Sequence, residues 1–264
     1  MVNTETQERV IKFSLVEGGP FHAILGKLAL LDAEGLPTWR TAFVLALLAW
    51  VPPAVLDLVQ LTMQPDYPGL SYFRDPTVYT RYLVAIIAML ITERVADERI
   101  SVLVNQFLNA KLIDTADEQR YRSIVDKADK LASQPMIEAV LLIVAVLWSL
   151  ASFYFVSVIT VRGWEEWGGG DGPSFSWAGT VASLVSNPIF LFLVLRWLWR
   201  FGVWTWLLYK VSRLSLKLVP IHSDRAGGIG FLALFPGIFI GFVFALSCVV
   251  SASLLKRMAL IEAE

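Results

Sequence analysis

NPIFLFLVLRWLWRFGVWTWLLYKVSRLSLKLVPIHSDRAGGIGFL, residues 187–232, is the stretch whose reading decides the fold. Its first half is a long apolar run that contains Arg196 and Arg200 and carries Trp197, Trp199, Trp204 and Trp206. Its second half turns polar, passes Pro220 and reaches Gly227-Gly228 before another apolar run begins. A helix needs about 20 apolar residues to cross a bilayer core, and several runs of this chain approach that length. Across all 264 residues, 56% are hydrophobic, 17% are charged and mean hydropathy is +0.61. Soluble domains carry about 25% charged residues and no such runs. The composition therefore predicts an all-α fold: a polytopic helical membrane protein with about five transmembrane helices and a cytoplasmic amphipathic helical hairpin.

Several classes drop out early. A net charge of −1 and a pI of about 6.2 give no global basic field, so nucleic acid is not an expected partner. The single Cys248 sits in an apolar run and has no intrachain partner. The opening MVNTETQERV has no basic region followed by an apolar core, so the first membrane helix is expected to act as its own insertion signal. No HExxH, CxxC, Walker loop or GxSxG occurs, and no cofactor is expected.

Working outward, four regions follow. Residues 1–38 form a cytoplasmic N-terminal, partly interfacial segment. In it Glu17 to His22 reads as a turn, and Ile24 to Leu31 as a short surface helix with Lys27 toward headgroups. Residues 39–96 hold the first two spans. The first runs from about Trp39 to Leu61 and should kink at Pro52-Pro53, with Asp57 either reaching the interface or facing the bundle. The second starts near Tyr79, and its apolar core from Leu83 to Ile91 is short enough to need shielding by neighbours. Residues 97–135 are the hairpin. Val104, Phe107, Leu108 and Leu112, then Tyr121, Ile124, Val125, Ala128 and Leu131, give each arm an apolar stripe at helical spacing. That stripe packs on itself or on a neighbouring subunit; a cytoplasmic protein partner docking on residues 97–133 is the alternative. Residues 136–264 hold three further spans and the polar HSDRAGG turn between the last two. The fifth helix, from about Gly228 to Leu255, carries Gly237-x-x-x-Gly241, a pattern for close helix packing or self-association into a homo-oligomer.

Lysines and arginines concentrate in the N-terminal segment, in 93–135 and in 210–227, whereas the alternate loops hold mainly Arg74, Arg81 and Arg162. The positive-inside rule then places the N-terminus, the hairpin and the HSDRAGG turn in the cytoplasm.

The fourth helix has two readings. If it crosses from Trp177 to Leu195, Arg196 and Arg200 snorkel at an ordinary aromatic boundary. If it starts at Asn187-Pro188, both arginines lie deep, share one face at i, i+4 spacing and must face the bundle, with Asp57, Glu93 or Glu138 as counter-charges. The polar turn offers a second candidate. His222 and Asp224, two residues apart, are of the types that ligate metals or exchange protons, and Glu17 and His22 lie in another cytoplasmic turn. The plainer reading of His222-Ser223-Asp224 is a capped turn.

PIHSDRAGGIGFL, together with LRWLWR upstream and VEGGPF near the N-terminus, resembles a family of uncharacterised bacterial inner-membrane proteins. That family carries Pro-x-His-Pro-Asp-x-x-Gly-Gly-Leu-Gly-Phe-Leu after an Arg/Trp-rich helix. The likeness covers most of the chain and departs at Ser223, where the family has proline. It implies a bacterial inner-membrane location and further membrane helices beyond residue 264, and it supplies no activity. The functional expectation is a non-enzymatic, oligomeric channel-, transport- or sensor-type protein with Arg196 and Arg200 on an interior polar path. Its rivals are a membrane enzyme using Glu17, His22, His222 and Asp224, and a structural membrane scaffold.

Overall fold

The structure is a computed structural model that describes residues 11, 13–16, 18–32, 36–64, 71–159, 176–218 and 225–261. Among them the chain is helical, and its β contacts are two isolated bridges, Leu31 with Pro37 and Ile113 with Leu216.

Helix α1 (Gly19–Lys27) begins immediately after a tight reversal. Gly18 and Gly19 take φ of 98° and 81°, which only glycine adopts cheaply, and Pro20 follows in the first turn, where its missing N–H is not needed. The turn expected over Glu17 to His22 thus closes at Gly19, and Pro20, Phe21 and His22 are already helical. Helix α2 (Trp39–Met63) is N-capped by Thr38 in a reciprocal pair with Thr41. Pro53 cannot donate to the carbonyl of Ala49, and the Ser186 hydroxyl takes that role at 2.5 Å.

Residues 76–109 form one continuous helix, α3, which contains a π-helical turn at Tyr79–Ala85 and runs on as Ile86–Asn109. It lies in the centre of the bundle, between α2 and the last helix, and buries Tyr82, Ile86, Met89, Leu90, Glu93 and Ile100 almost completely. Four other helical stretches are long and apolar enough to cross a membrane: Trp39–Met63, Pro135–Ser152, Trp177–Val211 and Ile240–Ala259. Among the described residues the protein is thus all-helical with four candidate spans, and α3, the expected second span, differs from them because its protein-facing side chains include charges.

Helix α4 (Glu118–Ala132) folds back beside α3 and lies along the later helical stretch Asn187–Val211. Its Tyr121 hydroxyl donates to the Val104 carbonyl at 2.6 Å, and its ring meets Phe107 at 5.9 Å. The apolar stripe of the hairpin is therefore spent inside the chain. Its tip is clasped to residues 215–217: Lys217 N donates to Leu112 O at 2.8 Å, and Ser215 N to an Asp117 carboxylate oxygen at 3.1 Å.

Helix α5 (Pro135–Ile159) packs on helix α6 (Trp177–Val211). Helix α6 runs through a π turn at Ala182–Ser186 directly into Asn187-Pro188. Asn187 therefore does not start the helix. Pro188 removes the donor that the Leu184 carbonyl would receive, and the wider π turn absorbs that loss without ending the helix. The single fifth helix expected from Gly228 is instead a 3-10 segment, Gly230–Ile238, followed by α7 (Ile240–Ile261). Pro236 lacks the N–H that an α-helix would require there. Helix α7 runs antiparallel to α3: Arg99 Nη1 donates to Gly237 O at 3.3 Å, Gly241 abuts Thr92, and Lys256 Nζ meets Asp75 Oδ2 at 2.6 Å. Both glycines of the GxxxG pattern thus serve contacts within the chain. Phe43, Leu47, Leu142, Trp148, Phe244 and Leu254 point outward, as suits lipid.

A Cβ at Gly241 would overlap the Thr92 side chain. Gly241→Val should cost about 1–3 kcal/mol, the range for overpacking, and lower the melting temperature of the detergent-solubilised protein. Asp75 is buried, which raises its pKa, but Lys256 and Thr77 outweigh burial and hold it below the ordinary carboxylate value. The stability this provides is full above the unfolded pKa of about 3.9 and drains as pH falls through the folded value. Acidification from about pH 5 to pH 3 should lower the melting temperature more in the wild type than in Lys256→Met.

Candidate functional site

The site is built where four elements meet. Arg196 and Arg200 project from one face of α6, Glu93 comes from α3, Glu138 from the first turn of α5, and residues 13–16 and 18–21 pass across them all. Arg196 Nη1 lies 3.1 Å from Glu93 Oε1, and its Nε 3.2 Å from Glu138 Oε1. Arg200 Nη1 reaches the same Glu93 oxygen at 2.8 Å, at an angle too poor for a hydrogen bond, so this contact is ionic. All four side chains are buried, at 0% exposure for Glu93 and 7% or less for the others. Two positive and two negative charges thus balance inside one buried cluster.

The N-terminal segment adds backbone partners, while Arg200 Nη1 and Nη2 make no hydrogen bond among the described residues. Arg200 Nε donates to Leu15 O at 3.0 Å and Arg196 Nη2 to Val16 O at 3.3 Å, while Phe21 N donates to Glu138 Oε2 at 2.9 Å. The Phe21 ring lies 4.7 Å from the Arg196 guanidinium, a cation–π contact in an apolar setting. Gly19 lets the chain pass this close, since a Cβ there would come within 2.5 Å of the Glu138 carboxyl carbon. The same segment is bound further along. Ser14 Oγ donates to Asp97 at 2.5 Å, Ser14 N to Asp129 at 3.3 Å, and Ile11 exchanges two hydrogen bonds with Asn105. Phe13, Leu15 and Val16 are buried beneath it. Residues 11, 13–16 and 18–21 are therefore docked as a strap that joins the hairpin to the arginines.

From Trp177 to Arg196 α6 rises about 28 Å, close to the roughly 30 Å of a bilayer core. Arg196 is level with the first turn of α5 through Glu138. Both arginines are enclosed by protein and paired with carboxylates. Asp57 is buried on α2, within electrostatic reach of Tyr72.

Of the candidate catalytic and metal residues, Glu17, His222 and Asp224 lie outside the described residues. His22 lies within electrostatic reach of Glu93, in the wall of the charge cluster. Among the described residues, no three His, Cys, Asp or Glu side chains are grouped to hold a metal. The docking residues Ser14, Asp97, Asn105 and Asp129 escape a sequence reading because single polar residues on an amphipathic helix look like a solvated face.

Fold and site together define a multi-pass helical membrane protein with an enclosed intramolecular charge network. No protein-family model, curated protein or solved structure matches the chain.

Removing one partner of a buried charge pair strands the other and costs about 3–5 kcal/mol. Glu93→Gln should be destabilised by that order, whereas Glu93→Gln/Arg200→Gln, which leaves the Arg196–Glu138 pair balanced, should recover most of the loss in a thermal melt.

Proposed function

We propose that the protein is an oligomeric, bacterial inner-membrane channel-, transport- or sensor-type protein with its N-terminus in the cytoplasm. In this reading Arg196 and Arg200 line the cytoplasmic mouth of an interior polar path, and the strap holds that mouth shut. The observation that carries it is the strap's mode of attachment. A buried four-charge cluster is a poor way to gain stability, because the desolvation of the charges offsets their attraction. Here it is also capped by a peptide whose polar contacts run largely through its backbone. Ile11, Phe13, Leu15 and Val16 seat that peptide by their buried side chains, an arrangement that can release as a unit. The positive-inside count supports the orientation, and the likeness of residues 220–232 to the bacterial inner-membrane signature supports the location. The scaffold reading loses its docking stripe, since the hairpin's apolar residues are packed within the chain.

Potassium and chloride conductance of proteoliposomes tests the reading. Deletion of residues 1–16 should raise conductance several-fold over the wild type, and Arg196→Ala/Arg200→Ala should change its ion selectivity. Background conductance from every variant, with the protein folded and inserted, would overturn it.

A further inference from the structure

A second charged group lies deeper in the bundle. Arg81 Nη1 donates to Asn187 Oδ1 at 3.1 Å, and the Tyr82 hydroxyl donates to the same oxygen at 2.7 Å. Two donors on one oxygen fix the amide's orientation, so the Asn187 Nδ2 group faces away as a further donor. The Arg81 guanidinium stands 5.9 Å from the Phe190 ring, and its Nε is buried with no hydrogen-bond acceptor. Among the described residues Arg81 has no carboxylate partner, in contrast to Arg196 and Arg200.

Its depth makes this expensive. Arg81 precedes Glu93 by twelve residues and Asn187 precedes Arg196 by nine, which puts the group roughly 13–18 Å above the charge cluster, near the middle of a 30 Å core. A lone arginine at that depth costs at least about 2.5–3.5 kcal/mol. The backbone is also irregular here on both sides. Arg81 and Tyr82 lie within the π turn Tyr79–Ala85, and Asn187 directly follows the π turn Ala182–Ser186. Single π turns inside helices occur frequently at functional sites, and here two of them converge.

We propose that Arg81, Tyr82 and Asn187 form an intramembrane anion site that takes a phosphate-type oxyanion. Arg81 supplies the guanidinium N–H groups that Asn187 leaves free, and Asn187 Nδ2 supplies a further donor. Tyr82 acts by orienting Asn187. The anion arrives either as free phosphate or as the phosphodiester of a lipid headgroup. As the solute of a transport path, it rests on the reading above; as a bound anion, it does not.

The test measures binding and flux separately on the full chain. Thermal shifts of the detergent-solubilised protein are recorded with inorganic phosphate, with phosphatidylglycerol and with diacylglycerol, which lacks the phosphate. The wild type and Arg81→Lys should be stabilised by phosphate or phosphatidylglycerol, with affinity lowered about tenfold or more in Arg81→Gln, the order expected for a lost charge-assisted hydrogen bond. Asn187→Asp places a carboxylate beside Arg81, so it should melt higher than the wild type and no longer respond to the anion. A response to inorganic phosphate supports a free-solute site, and one to phosphatidylglycerol alone supports a lipid headgroup site. Equal shifts in the wild type and Arg81→Gln, a diacylglycerol shift as large as that of phosphatidylglycerol, or no shift with any probe would overturn the proposal. Arg81-dependent binding without flux in any variant would keep the site and remove the transport reading. Flux and binding both unchanged in Arg81→Gln would do the reverse.

Discussion

The rest of the structure depends on the need to keep two guanidinium groups on α6 away from lipid. Arg196 and Arg200 sit one turn apart, just past the middle of a 35-residue helix, and are buried nearly completely. Each requires an anion and acceptors in a low-dielectric setting, where an unpaired charge is far costlier than an unpaired amide. Glu93 and Glu138 supply the charge, and carbonyls of Leu15 and Val16 supply acceptors. Satisfying the arginines therefore fixes where α3, α5 and the N-terminal segment lie relative to α6.

That requirement also explains why α3 is the least apolar of the long helices near the bundle axis. A helix that must present Glu93 to α6 cannot face lipid on that side, so α2 and α7 enclose it. Small residues make the enclosure tight: Gly241 lies directly on Thr92, and buried alanines such as Ala42, Ala46 and Ala49 line the inner side of α2. Where Pro53 removes a backbone donor, Ser186 of another helix supplies one to the Ala49 carbonyl. Asn187 likewise accepts from Arg81 and Tyr82 across helices, pairings that the absence of water from a hydrocarbon core favours.

The hairpin and the strap belong to the same arrangement. Helix α4 covers the portion of α6 that extends past Arg200, and its partner arm is the continuation of α3, so the hairpin is a rigid extension of two bundle helices. The strap then runs over its surface, held by Asp97, Asn105 and Asp129, and ends against the charge cluster. A movement of the strap would be felt by the arginines directly, because its carbonyls are their acceptors.

The sequence by itself determined the helical membrane class, the apolar stretches that span, the amphipathic hairpin and the suspicion attached to Arg196 and Arg200. Each of these is a property of local composition or of periodicity along one helix, and such properties survive without knowledge of neighbours. Glu93 and Glu138 could be named as candidate counter-charges, but Asp57 was an equal candidate, because pairing across helices depends on rotation and tilt that no local pattern encodes. Only the tertiary structure selected the partners, turned Asn187-Pro188 from a helix start into the exit of a π turn, and brought Arg81 from what read as a loop charge to Asn187 inside the bundle. Those decisions arise from contacts between residues 58 to 185 positions apart, where packing and charge satisfaction override what each helix would do alone.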